Sequence, residues 1–338
     1  MQKRESNIEL LRIVAILMVM ALHVNDAALG ELTPDIFAAD YGKGIFRLVF
    51  ESLAIAGVDV FVLISGWFGI KASTKGLVRL LFQCAFFFVL LLPIGLLCRH
   101  MSAADAMSAM MASRGYWFVC AYIGLYILSP LINMFVEHAT KQQFGWVLGL
   151  FWTFLIVFGW VIDERQFVHG YSTISFLGLY LLSRYVRLYG LPLTDRKWGF
   201  HAAVYAASVV LVAGVAAASL YANIAVVSVI SRMWSYLNPL VVIEALALLL
   251  LFAEMKIESR TINALATGVF GVFLLHLHPL IFDLYKEVAQ AIWANYSDCL
   301  LAYCPLILLY ITGVYVLGWT IDRVRLGLWA PIDRKWNK

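Results

Sequence analysis

Along this chain, apolar residues gather into long stretches separated by short clusters of charged, Gly, Asn and Pro residues. Windows of 18 or more residues, each long enough to cross a hydrocarbon core as a helix, run over 8–25, 52–70, 77–97, 116–136, 144–162, 170–189, 201–222, 235–253, 263–282 and 300–320. The pattern predicts an all-α polytopic bundle of about ten transmembrane helices. The sixth window is diluted by Gly, Ser and Thr, and the eighth carries Glu244. With no internal repeat, low-complexity linker or heptad run, residues 1–338 read as a single integral-membrane domain.

Composition sharpens this picture. The 338 residues are 63% hydrophobic and only 14% charged, against roughly 25% charge in a soluble chain. Short loops between about ten spans leave no room for a separately folded nucleotide-binding or catalytic domain. The net charge of +4 reads as an orientation signal, and no nucleic-acid partner is expected. With the N-terminus inside, 17 of the 25 Lys and Arg fall in inner segments, 7 in outer segments and Arg12 within the first span. The positive-inside rule then predicts both termini in the cytoplasm and an even number of spans. The longest outer loop, about 25–51, carries Asp26, Glu31, Asp35, Asp40 and Glu51 and reads as a solvated acidic loop. The five cysteines contain no CxxC, so neither a metal nor a disulfide framework is expected. Lys3 and Arg4 before an apolar run superficially suggest a signal peptide, but Arg12 within the run and the lack of a small-residue cleavage site read as a retained first span.

Ionisable residues inside spans are costly and therefore candidates for function. The first span holds Glu9, Arg12 and His23, the second Asp59, the eighth Glu244, and the ninth His276 and His278. Arg12 and His23 are eleven residues apart. At about 100° and 1.5 Å per residue, that is three turns plus roughly 20° and about 16 Å along the axis, so both project from one face. Glu9 is placed to pair with Arg12 across one turn. The structural alternative is that Arg12 and His23 each snorkel to the nearer interface. Asp59 lies at a depth comparable with His23, where a carboxylate orients an imidazole or simply faces a wet vestibule. Ser65 and Gly66 read as small residues that permit close helix packing. His276 and His278, as an i, i+2 pair, project to different faces, so no shared metal site is expected. Arg114 and Trp117 mark the outer end of the fourth span, as a snorkelling cation and a belt aromatic do, with Tyr122 deeper.

These residues fall into local patterns. The first span, IELLRIVAILMVMALHV, resembles the signature of the acyltransferase family 3 membrane proteins, in which an arginine and a histidine separated by ten residues occupy the first helix. FVLISGWFG in the second span, YWFVCAYIGLYILSPLIN in the fourth and GVFLLHLHPLI in the ninth follow in the family's order. The resemblance covers nearly the whole chain. It implies transfer of an acyl group, most often acetyl, from cytoplasmic acyl-CoA to a hydroxyl of a surface glycan or other extracytoplasmic acceptor such as a lipid-linked saccharide. It also implies the multi-pass cytoplasmic (inner) membrane of a bacterium, and acyl-CoA as co-substrate rather than a permanently bound cofactor. By the same resemblance His23 is the catalytic histidine and Arg12 its partner in the motif, while Ser65, Trp117, Tyr122 and His276 match further family positions. Trp67 stands where Phe or Tyr is more usual, Phe273 where Tyr is frequent, and Leu277 where a polar residue is frequent. The basic cluster of Lys71, Lys75 and Arg79 only partly matches an arginine-rich pattern.

The chemistry fits the stripe on the first span. A sugar hydroxyl needs a base at its own reaction centre, and CoA phosphates need cations at the cytoplasmic mouth. The expected assignment is His23 as base with Asp59 orienting it, and Arg12, Lys71, Lys75 and Arg79 toward CoA. Glu9, Ser65, Arg114, Trp117, Tyr122 and His276 are expected along the substrate path. The competing class is a transporter or flippase that uses the intramembrane His, Asp and Glu residues. Inverted repeats or paired broken helices would favour it, and the sequence carries neither signal.

Overall fold

A computed structural model describes residues 4–98, 102, 104, 105, 108, 116–192 and 194–336. Every regular element among the described residues is helical. Among the described residues, seven helices are long and apolar enough to cross a membrane: Ser6–Ala27, Tyr41–Phe68, Thr74–Pro93, Trp117–His138, Lys141–Val161, Trp198–Ala222 and Leu300–Trp336. Helices also occupy the other three windows, but in shorter form. Thr173–Tyr189 has 17 residues and Pro239–Ala253 has 15. The ninth window is not one helix: it divides into Arg260–Ala266 and Val269–His276, turns, and resumes as Phe282–Tyr296. Pro279 accounts for the turn, because it lacks an N–H and disfavours helical geometry at the preceding His278.

The first five helices are α1 (Ser6–Leu22), α2 (Pro34–Ala39), α3 (Tyr41–Ala54), α4 (Gly57–Phe68) and α5 (Thr74–Cys98). The segment read as a solvated acidic loop is therefore largely helical. Asp26, Glu31, Asp35 and Asp40 are exposed, but Glu51 is buried with Arg47 on α3. The inward face of α3 recurs at i, i+3 and i+4 as Gly44, Arg47, Leu48, Glu51 and Ser52, a largely polar set that the acidic count alone does not reveal, while Ile45, Val49 and Leu53 face outward.

The central element is α1. It packs against α3, α4, Pro239–Ala253, Arg260–Ala266, Val269–His276 and Leu300–Trp336. Ile8, Leu11, Ala15, Ile16, Val19 and Met20 are accordingly almost wholly buried. Its beginning is tied down by polar bonds: Asn7 Nδ2 donates to the Phe252 carbonyl at 2.9 Å, and the Ser259 N–H donates to Ser6 Oγ at 3.0 Å. Between lipid-embedded helices, association rests on close van der Waals approach, which small residues permit. Gly66 of α4 provides such a contact, since a Cβ there would stand 2.5 Å from the Tyr180 carbonyl oxygen. Gly57 does the same against α1, where a Cβ would lie 3.0 Å from the Ala15 oxygen. At its far end α1 widens into a π-helical turn over His23–Ala27. Such single π turns are frequent at functional sites, because the extra residue re-aims the side chains beyond it.

Candidate active site

The π turn begins at His23, and the imidazole meets His276 at the end of the helix Val269–His276. His23 Nδ1 and His276 Nε2 are 3.1 Å apart, and His276 Nδ1 is 2.9 Å from the Val272 carbonyl oxygen. Phe282 closes edge-on over His23 at 5.6 Å between centroids. His276 is fully buried, whereas His23 is half-buried. Two residues further along the π turn, Asn25 braces this end of α1 against α3. It donates to Glu51 Oε2 at 2.7 Å and accepts from Arg47 Nε at 3.1 Å.

At the other end of α1 lies a cavity of about 350 Å³. Its mouth carries three arginines, Arg4, Arg12 and Arg79, against one carboxylate, Glu9. Arg12 Nε is 4.0 Å from Glu9 Oε2 and has no hydrogen-bond partner among the described residues. The cavity passes Ser65 and Tyr122, whose hydroxyls are 3.3 Å apart, and continues to Val19, Phe118 and Phe273. Val19 lies one helical turn before His23 on the same face, and Phe273 three residues before His276. The Phe273 ring is 5.1 Å from Phe118 and 5.9 Å from His276 between centroids. A cationic mouth and an apolar shaft ending one turn short of an imidazole pair thus share one helix. Because α1 is unbroken from Ser6 to Leu22, Arg12 and His23 keep the rise of about 16 Å set by their spacing.

Several expected residues sit elsewhere. Asp59 does not orient His23, whose Nδ1 is engaged by His276. The Asp59 carboxyl is fully buried with both oxygens unpartnered among the described residues, as are those of the equally buried Glu244, which is near enough to act on it electrostatically. Gly57, two residues before Asp59, stands against Ala15, Met18 and Val19 of α1, a turn or more short of His23, because the second span begins already at Tyr41. Lys71 is exposed and does not line the cavity, and Lys75 pairs with Asp333 at 2.9 Å. Trp117 also stands outside the cavity, stacked on Tyr171 at 4.3 Å between centroids and facing Tyr236. Arg114 lies outside the described residues. Sequence reasoning missed Arg4, counted only as an inner charge, and Gln83, which lines the cavity while donating to the buried Asp322 at 2.8 Å. Cys299 and Cys304 are both free and exposed.

The profile of a family described as an acyltransferase domain matches residues 5–323. The chain belongs to acyltransferase family 3. The family match takes in both histidines and every cavity-lining residue except Arg4 and Leu326. Neither a curated protein nor a solved structure matches the chain.

Proposed function

We propose that this family 3 membrane protein is an acyl-CoA-dependent O-acyltransferase of the bacterial cytoplasmic membrane. It moves an acyl group, acetyl in the simplest case, to a hydroxyl of an extracytoplasmic glycan or lipid-linked saccharide. One observation carries the reading: a single cavity leads from Arg4, Arg12 and Arg79, past Ser65 and Tyr122, to Val19 and Phe273, each about one turn from the histidine pair. With ten spans and both termini in the cytoplasm, the arginine end faces the compartment where acyl-CoA is made.

Arginine forks suit the CoA phosphates, and a narrow apolar shaft suits a thiol arm carrying a thioester. At the far end His23 takes the proton of the acceptor hydroxyl as its oxygen attacks the thioester carbonyl carbon. The tetrahedral adduct then collapses, the C–S bond breaks, and the imidazolium returns its proton to the departing thiolate. Protons balance, so the reaction needs no further acid or base. Direct transfer is favoured over an acyl-Ser65 intermediate, because among the described residues the Ser65 hydroxyl bonds to the Phe61 carbonyl and the Tyr122 hydroxyl rather than to a base.

The test is release of free CoA by purified protein in lipid nanodiscs supplied with acetyl-CoA and a glycan acceptor. His23→Ala should lower transfer by about 10² to 10⁴ while leaving CoA binding intact. Wild-type transfer by a well-folded His23→Ala protein would overturn the assignment. Mass spectrometry of surface glycans with and without the gene identifies the acceptor.

A further inference from the structure

The two histidines are joined through a carbonyl that decides where their hydrogens lie. The Val272 carbonyl oxygen, 2.9 Å from His276 Nδ1, has no hydrogen to give. That bond therefore requires Nδ1–H on His276, and in the neutral ring Nε2 is then the acceptor. His276 Nε2 in turn faces His23 Nδ1 at 3.1 Å. The hydrogen between the rings accordingly belongs to His23 Nδ1, and no hydrogen bond among the described residues engages His23 Nε2. We infer that His276 is a positioning residue that locks His23 in the Nδ1–H tautomer and makes Nε2 the nitrogen that accepts the substrate proton.

The surroundings hold His276 in this orientation. Its ring is fully buried and is bounded by Phe273 and Tyr285, at 5.9 and 5.7 Å between centroids. Tyr285 is itself pinned, donating to the Met20 carbonyl at 2.8 Å and accepting at its own carbonyl from Tyr310 at 3.0 Å. Rotating His276 would break the Val272 bond and leave a buried polar nitrogen unsatisfied. When His23 takes the hydroxyl proton at Nε2, its Nδ1–H still points at His276 Nε2. The positive charge is then held by a neutral acceptor, in the place where a catalytic triad uses a carboxylate.

This inference rests on the reading of His23 as the base, but its central claim is measurable without turnover. In full-length protein labelled with ¹⁵N-histidine, with His23→Gln used to assign the signals, His23 should give a protonated Nδ1 and an unprotonated Nε2. The opposite tautomer would overturn the inference whatever the activity. In transfer assays, His276→Leu, which cannot accept a hydrogen bond, should lower kcat by about 10²-fold or more with little change in KM for acetyl-CoA. His276→Gln, whose amide oxygen can accept from His23 Nδ1, should recover part of that loss. A wild-type kcat for folded His276→Leu, in a protein that His23→Ala inactivates, would remove His276 from the mechanism and leave His23 in place. Full activity of His23→Ala would instead remove the base itself. If His276→Leu does not fold, the tautomer measurement on the unaltered chain still decides.

Discussion

Ser65 Oγ lies 3.3 Å from the Tyr122 hydroxyl and 3.0 Å from the Phe61 carbonyl oxygen, and among the described residues no imidazole bonds to it. A serine nucleophile needs a neighbouring base, and here the carbonyl partner engages the hydroxyl hydrogen instead. Ser65→Ala should therefore retain transfer to within about tenfold, the scale of one lost neutral hydrogen bond. Trapping an acyl group on Ser65 by rapid-quench mass spectrometry would instead establish a two-step reaction.

The three arginines at the cavity mouth should act on donor affinity rather than on chemistry. Arg4→Ala, Arg12→Ala and Arg79→Ala are each expected to raise KM for acyl-CoA by about tenfold, the loss of one charge-assisted contact. The exposed Lys71, outside the cavity, serves as the comparison, and Lys71→Ala should leave KM near its starting value. Steady-state kinetics at two salt concentrations check this, since the arginine effects should shrink as ionic strength rises.

Asp59 makes no hydrogen bond to His23, and its buried carboxyl oxygens have no partner among the described residues. An isolated carboxylate in apolar surroundings is costly, so nothing is gained by keeping its charge. Asp59→Asn should leave kcat within about threefold, less than ~1 kcal/mol in the barrier. A loss as deep as that of His23→Ala would return Asp59 to the catalytic chain.

Gly66 has no space for a side chain, because the Tyr180 backbone occupies it. Gly66→Val should separate α4 from the helix Thr173–Tyr189 and cost about 1–3 kcal/mol. Thermal unfolding in detergent, followed by fluorescence, reads this as a lowered Tm. An unchanged Tm would mean that the two helices part without loss.

Orientation can be read from a native thiol. Cys299 is free and exposed, in the segment that the ten-span arrangement assigns to the outside. With the other cysteines replaced, a membrane-impermeant maleimide should label it in intact cells. Labelling only after permeabilisation would place that segment inside and require a different span count.

What the sequence determines about this protein is what lies along one helix. The apolar windows specify the helices, and the Arg12 to His23 stripe follows from helical periodicity, since their rise and angle depend on nothing outside α1. Membership of the acyltransferase family is legible for the same reason, in short patterns each confined to one span. What only the tertiary structure decides is which faces meet. Sequence spacing puts both Asp59 and His276 near the level of His23 and cannot distinguish them, because the offset and rotation of each helix are set by packing. Gly57, Gly66 and the turn at Pro279 fix that packing, so His276, 253 residues away along the chain, reaches Nδ1 of His23 while Asp59 points elsewhere. The same holds for the cavity mouth. Arg4 joins Arg12 and Arg79 there because the start of α1 is tied to Phe252 and Ser259, contacts that span most of the chain.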